Sequence, residues 1–95
     1  MYYLVMDIVW DPDKAKSNHR KHQIHFSDAE SVLYDPMALT IEDQNIDGEK
    51  RFVTVGSDSI GRIVLVVYAY RENSIRLISA RKATASERRY YEEGI

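Results

Sequence analysis

The sequence predicts an α+β fold: an N-terminal strand, two helices, a four-stranded antiparallel β-meander and a closing helix. Three helix-start signals predict the helices, an Asp-Pro pair at residues 11–12 and Ser/Thr-x-x-Glu patterns at residues 27–30 and 84–87. Between residues 38 and 80, apolar segments alternate with turn residues, as in strands joined by hairpins. Since the chain has 95 residues, we expect residues 1–95 to form a single domain.

The N-terminal part predicts a strand followed by a helix. Residues 3–9 are rich in β-branched and aromatic side chains, which favour a strand. Asp11 is placed to cap the free N–H groups of a helix, and Pro12 suits its first turn. One face of this helix is short and polar, so we expect it to be half-buried; it carries Ala15, Asn18, His19 and His22.

The second predicted helix begins with a capping box at Ser27 and Glu30. Its inward stripe is short and apolar, and consists of Ala29, Val32 and Leu33. The pair Asp35-Pro36 ends it, because the residue before a proline avoids the helical region.

The predicted meander occupies the middle and later parts of the chain. Its strands cover residues 38–42, 51–56, 63–70 and 74–80, and its turns cover residues 45–48, 57–61 and 71–73. Residues 63–70 are nearly all apolar, which predicts a central strand covered on both faces. Thr84 and Glu87 then form a capping box that opens a closing helix, which runs to about Glu93.

Several kinds of chemistry find no support in the residues. Without cysteine there is neither a disulfide framework nor a thiolate metal site. The three histidines, His19, His22 and His25, lack a carboxylate at a recognisable ligand spacing, so we expect no metal and no cofactor. No Gly-rich phosphate loop or Gly-x-Ser-x-Gly elbow is present. Without a signal peptide or an apolar run of roughly 20 residues, we expect a cytoplasmic protein that does not contact membranes.

Charge is distributed unevenly along a chain whose net charge is −2. Residues 35–58 are mainly acidic, whereas residues 71–91 carry a surplus of cations: Arg71, Arg76, Arg81, Lys82, Arg88 and Arg89. A local surplus of this kind binds phosphate even when the whole chain is mildly acidic. The alternative is a solvated surface whose arginines form ordinary salt bridges.

The last quarter of the chain contains the candidate site. Regular strand spacing predicts that Arg76 shares a face with Ile78 and Ala80, while Arg81 lies at the strand's end. Arg81 and Lys82 immediately precede a helix N-terminus, which favours anions. Helical spacing brings Glu87, Arg88 and Tyr91 together. Arginines beside aromatic rings suit an RNA phosphate and a stacked base. In the alternative interpretation, Tyr90 or Tyr91 packs in the core and the arginines are surface residues.

Two longer motifs resemble the BrnT family of toxins. The first is Trp10-Asp11-Pro12-x-Lys14-x-x-x-Asn18-x-x-Lys21-His22-x-x-x-Phe26-x-x-Ala29. The second is Arg76-Leu77-Ile78-Ser79-Ala80-Arg81-Lys82-Ala83-Thr84 followed by Glu87-Arg88-Arg89-Tyr90-Tyr91. One departure is visible: Gln23 stands where that family usually has glycine. The resemblance implies a RelE-like toxin domain, RNA cleavage that arrests translation, and a ribbon-helix-helix antitoxin of the BrnA type through which operator DNA is contacted.

RNA cleavage without a metal uses the 2′-OH as nucleophile, and it needs a base, an acid and cations for the phosphorane charge. The candidate cations are Arg76 and Arg81, with Arg71 and Arg88 next; Glu87 or His22 is the candidate base, and Tyr91 a stacking platform or proton donor. Further RNA contacts are expected from Lys82, Arg89 and Tyr90, and Arg71 is expected to contact flanking RNA or the antitoxin. Arg71 and Arg81 are expected at opposite ends of one hairpin, roughly 20 Å apart, so they do not share a phosphate.

A second hypothesis is a non-catalytic binding module whose basic C-terminal face holds a protein partner. Glu87 is then only the capping-box residue, and Arg88 only pairs with Glu92 along the helix.

Overall fold

The computed structural model describes residues 7–43 and 48–94. Its elements are β1 Asp7–Val9, α1 Pro12–His22, α2 Phe26–Ala29, a 3-10 turn Glu30–Tyr34, β2 Leu39–Glu42, β3 Arg51–Ser57, β4 Ile63–Arg71, β5 Ser74–Lys82 and α3 Ala85–Glu93. The α+β class is therefore confirmed. Within the described ranges no helix is both long and apolar enough to span a bilayer.

The five strands form one mixed sheet in the order β1-β5-β4-β3-β2. Strands β2 to β5 are the antiparallel meander that the turn residues predict. β1 joins its edge in parallel, with Ile8 opposite Ile75. Of the strand predicted at residues 3–9, the last three residues are a strand, and the rest lie outside the described residues, as do residues 45–47 of the first turn.

The helices α1 and α2 and the 3-10 turn cover one face of this sheet. The core there combines helix-side and sheet-side residues: Ile24, Phe26, Ala29, Val32, Val64, Val66, Tyr68, Leu77 and Ala80. Trp10 meets Phe26 edge-on with ring centroids 5.9 Å apart. Burial of a side chain such as Phe26 contributes about 2–3 kcal/mol to folding.

Helix α1 begins and ends as its local chemistry dictates. The Asp11 side chain accepts a hydrogen bond from the backbone N–H of Asp13 at 2.9 Å, which confirms the predicted cap. The helix ends where Gln23 adopts a left-handed conformation (φ 62°) and its N–H bonds to the His19 carbonyl at 2.8 Å. Glycine adopts this conformation most easily, so Gln23 keeps the backbone shape at the cost of some strain.

Asn18 ties α1 to the edge of the sheet. Its side-chain nitrogen donates to the carbonyls of Ile24 and Ala80 at 3.1 and 2.9 Å, and its oxygen accepts the Ala80 N–H at 3.0 Å. The side chain is buried, unlike the rest of its helix. Its carboxamide replaces a neighbouring strand at the point where β1 has ended, and so it satisfies backbone groups that would otherwise be unpaired.

The second helix differs from its prediction. It begins at Phe26, and its N-cap residue, His25, makes no side-chain capping hydrogen bond. At Glu30 it continues as the 3-10 turn. Because Phe26 enters the helix and is buried, Ser27 falls inside the first turn and does not cap it. The expected capping box is therefore wrong. The end is as predicted, since Asp35 is extended before the proline.

A β-bulge between β4 and β5 overturns the predicted faces of the last strand. Tyr68 lies opposite Leu77, but Val67 lies opposite Ser79, so Ile78 has no counterpart on β4. The extra residue reverses the alternation. Arg76 therefore shares a face with Ser79 and Arg81, and the expectation that it shares one with Ile78 and Ala80 is wrong.

Helix α3 starts as predicted. The Thr84 side chain accepts the N–H of Glu87 at 3.2 Å, and the Glu87 carboxylate accepts the N–H of Thr84 at 2.8 Å. This reciprocal pair is a complete capping box. The helix ends at Gly94, whose φ of 71° suits glycine.

Candidate active site

The face of the sheet opposite α1 forms an open groove of about 570 Å³. Its floor is built from aliphatic side chains of β2, β3 and β4, here called the apolar groove: Leu39, Ile41, Val53, Val55, Leu65 and Val67. Arg81, Glu87 and Tyr90 line it as well. Leu65 and Val67 of β4 face this groove; Leu65 is nevertheless buried and Val67 half-buried, so β4 is largely covered on both faces, as predicted.

Arg81 and Glu87 form a two-pronged ion pair at this groove. Nη1 and Nη2 of Arg81 lie 2.8 and 2.9 Å from the two carboxylate oxygens of Glu87. Arg81 is the last residue but one of β5, and Glu87 belongs to the first turn of α3. The capping box orients Glu87, and Glu87 in turn orients the guanidinium. A planar cation with a locked orientation is what a developing phosphorane charge requires.

The same contacts make Glu87 a weak proton acceptor. The hydrogen bond from Arg81 lowers the pKa of Glu87 to about 2; burial opposes this shift, and the Thr84 N–H and the charge of Arg81 reinforce it. A general base works best when its pKa lies near the working pH. In this geometry the Glu87 carboxylate holds the Arg81 guanidinium in one orientation.

The two adjacent tyrosines of α3 have different surroundings. Tyr90 lines the apolar groove and is exposed. The hydroxyl of Tyr91 instead donates to Asp35 at 2.7 Å, and this hydrogen bond raises the pKa of Tyr91. Asp35 also accepts the N–H groups of Ser57 and Met37 at 2.8 and 2.9 Å. Tyr91 therefore fastens α3 to the end of the 3-10 turn, and Tyr90 is the ring exposed at the groove.

Arg76 and Arg71 lie near the turn that joins β4 to β5, and both approach the carboxylate of Glu49. Arg76 approaches that carboxylate at 2.6 Å and Arg71 at 3.5 Å. Burial alone would raise the pKa of Glu49, but the hydrogen bond and charge of Arg76, with Arg71 behind it, hold that pKa below its usual value. Arg71 pairs with Ser74 and Arg81 with Leu65, so the two arginines are about 20 Å apart along the strands, as expected.

The remaining C-terminal candidates are exposed. Arg88 lies 3.4 Å from Glu92 on the same helix, as the second hypothesis expects. Lys82 is exposed at the end of β5. Arg89 lies with Tyr90 in a small cleft beside α3. None of these three cations is among the described residues that line the apolar groove.

His22 lies apart from the groove, in a cleft between α1 and β5 that also contains Lys21 and Ser79. The other two histidines, His19 and His25, stack with ring centroids 3.8 Å apart. Across residues 7–43 and 48–94, no three of the histidines and acidic residues come together as ligands for a metal ion.

Sequence reasoning missed three contributions to this region. The first is the groove floor. The sequence shows that Leu39 and Ile41 share one face of a strand, but only the sheet register shows that this face continues across β3 and β4. Glu49 gave no local signal, because its partners lie 22 and 27 residues along the chain. Asn18 looked like part of a polar helix face until its contact with Ala80 was known.

Comparison with known proteins finds a matching family and a similar solved structure. The family model described as "Ribonuclease toxin, BrnT, of type II toxin-antitoxin system" matches residues 10–87, which is most of the chain. Among solved structures, the ribonuclease toxin BrnT of Brucella abortus is similar, with a TM-score of 0.66 and 26% sequence identity. That match covers 84% of this chain and 99% of the Brucella chain. No curated protein sequence matches. The chain therefore belongs to the BrnT family of ribonuclease toxins from type II toxin–antitoxin systems.

Proposed function

We propose that this BrnT-family chain is a metal-independent endoribonuclease that cleaves RNA at the Arg81 end of the apolar groove. The observation that carries the proposal is the Arg81–Glu87 pair, which fixes a guanidinium beside an accessible groove. Arg81 still has donors to offer: within the described part of the chain its Nε–H has no acceptor, and Nη2 bonds only to Glu87.

In the proposed reaction the 2′-OH of the substrate attacks the adjacent phosphorus. Its proton passes to a base, the bond to the 5′-oxygen breaks, and that oxygen receives a proton from an acid, which leaves a 2′,3′-cyclic phosphate. Arg81 stabilises the negative charge of the phosphorane, and Glu87 holds Arg81 in place. Tyr90 supplies the ring on which a base stacks and is a candidate proton donor. His22 remains a candidate base only if the RNA spans from the groove to its cleft.

The partner in this proposal is a ribbon-helix-helix antitoxin of the BrnA type. A type II toxin implies a protein antitoxin, and the resemblance of the two sequence motifs implies that type. Cleavage arrests translation, the antitoxin neutralises the toxin, and operator DNA is contacted only through the antitoxin.

The second candidate function, a non-catalytic module, has one observation in its favour. Arg71, Arg76, Arg81 and Arg88 all lie in ion pairs, which reduces the net positive field of the C-terminal region. The aliphatic floor of the groove would then hold an apolar segment of a protein partner.

Toxicity is the first test. Expression of the chain alone should stop growth and degrade RNA, and co-expression of the adjacent antitoxin gene should restore both. Growth rate and RNA integrity after induction are the measurements. Normal growth at high soluble expression, with intact RNA, would favour the non-catalytic module.

Chelation is the second test. Because no metal takes part in the proposed reaction, purified protein should cleave RNA at an unchanged rate in excess EDTA. The products should end in 2′,3′-cyclic phosphate, so phosphatase should free their 3′ ends for labelling only after acid has opened the cyclic ester. Loss of cleavage in EDTA that a divalent ion restores would contradict the mechanism.

A further inference from the structure

A second cleft lies across the edge of β5 from the apolar groove. Its volume is about 180 Å³, and we call it the basic cleft; it is lined by Lys14, Ser17, Asn18, Lys21, His22, Ile78 and Ser79. Lys14, Ser17 and Lys21 are exposed, and His22 is half-buried. The cleft therefore presents two ammonium groups, an imidazole and two hydroxyls within one small concavity.

The fold sets the position of this cleft through two features already described. Asn18 holds α1 against the edge of β5 by its three hydrogen bonds to Ile24 and Ala80. The bulged residue Ile78 lines the cleft, and so does Ser79, which shares a strand face with Arg81 by regular alternation. Ser79 and Arg81 are two residues apart, about 7 Å by strand rise. One extended strand of RNA held at Arg81 needs only to cross Ser79 to reach the cleft.

The charges of the cleft are available, unlike most of those at the C-terminal end. Within residues 7–43 and 48–94, neither Lys14 nor Lys21 has a carboxylate within ion-pair distance. Arg71, Arg76, Arg81 and Arg88 each have one. An unpaired lysine gains more from a phosphate than a paired arginine does, because it gives up no existing ion pair.

We propose that the basic cleft binds the sugar–phosphate backbone of the RNA strand next to the phosphate that is cleaved. This inference rests on the proposed ribonuclease function and names a subsite of it. Lys14 and Lys21 neutralise phosphate charge, and Ser17, Ser79 and His22 offer hydrogen bonds to phosphate or ribose oxygens. Lysine contacts of this kind give affinity without sequence preference. The cleft thus supplies positive charge that the ion-paired arginines do not.

The same helix provides a matched control. Lys16 and Arg20 are exposed on α1, and at 100° per residue they project from the side of the helix opposite Lys14 and Lys21. Lys16 lines a different cleft, with Trp10 and His25. Changing either pair to glutamine removes two positive charges from one helix, so only the location of the charge differs.

The experiment compares Lys14→Gln/Lys21→Gln with Lys16→Gln/Arg20→Gln. The binding probe is a 12-nucleotide single-stranded RNA of mixed sequence in which every 2′-OH is methylated, so that it lacks the nucleophile. We expect the first variant to bind roughly tenfold more weakly and the slope of log K against log salt to fall by about 1.4, or 0.7 for each lost lysine contact. The control variant should keep the wild-type slope. With cleavable RNA, the first variant should show a raised KM and an unchanged kcat.

The outcomes separate the cleft from the proposed function. Thermal unfolding checks that both variants are folded. If they are, equal salt slopes would reject RNA binding by the cleft and leave the proposed cleavage by the wild-type protein untouched. If the Lys14→Gln/Lys21→Gln variant kept the wild-type salt slope for RNA but no longer bound the antitoxin, RNA binding by the cleft would also be rejected. The cleft would then be a protein-binding surface. Absence of cleavage by the wild-type protein, with a reduced slope in the first variant, would reject the ribonuclease function and leave an RNA-binding cleft.

Discussion

Replacement of Arg81 by alanine should lower RNA cleavage on the order of 100-fold or more, which is the usual loss when one transition-state donor is removed. The guanidinium lies in the groove, and Glu87 holds its orientation at 2.8 and 2.9 Å. Stability should fall by only about 1 kcal/mol, because the ion pair is partly exposed. The measurements are kcat/KM on an RNA substrate and urea unfolding of the same preparation.

Two variants sharpen this test. Arg81→Lys keeps the charge but not the two-pronged contact with Glu87, so its activity should lie between those of the wild-type protein and the alanine variant. Arg20→Ala removes an exposed arginine from α1, far from the groove, and should leave kcat/KM within a few-fold. Activity losses that follow the melting temperature across all three variants would make Arg81 structural.

The pH dependence adds an independent check on Glu87. A carboxyl whose pKa is lowered on folding contributes stability that is present above its ordinary value of 4.5 and is lost as the pH falls through about 2. Glu87 therefore stays ionised from pH 5 to 9, and an acidic limb of kcat/KM in that range belongs to another group. If Glu87→Gln abolished such a limb, Glu87 would be the base after all.

Replacement of Asn18 by alanine should produce the largest loss of stability, roughly 3 kcal/mol or more. The change removes three buried hydrogen bonds and leaves the carbonyls of Ile24 and Ala80 and the N–H of Ala80 without partners. The total stability of a domain is only about 5–15 kcal/mol, so much of it would be lost. The measurement is the midpoint of urea unfolding.

The variant Asn18→Asp tests the same hydrogen bonds in a second way. It keeps an acceptor for the Ala80 N–H but places a carboxylate against two carbonyl oxygens, so it should be at least as destabilising as alanine. Lys16→Ala, an exposed change on the same helix, should stay within about 0.5 kcal/mol of the wild-type protein. A small effect of both Asn18 variants would mean that water replaces the carboxamide.

Much of the fold follows from local signals because those signals act over a few residues. The Asp11 cap, the Thr84–Glu87 capping box and the turn at Gly61 each depend on bonds within four positions of the chain, and the helices and strands they delimit are present. The predicted start of the second helix is wrong because a contact between distant residues decided it. Burial of Phe26, a tertiary requirement, outweighed a local capping pattern at Ser27.

The sequence by itself determined the α+β class, the meander and the two motifs that resemble the BrnT family. Only the tertiary structure decided which side chains meet. One extra residue at Ile78 reversed the face of Arg76, and strand period alone does not reveal a bulge. Glu49, Asp35 and Asn18 each have a partner 22 to 62 residues away, namely Arg71, Tyr91 and Ala80, and contacts at that distance depend on how the sheet and helices pack. Local patterns therefore identified the arginines, while packing determined their ion pairs and placed Arg81 at the apolar groove.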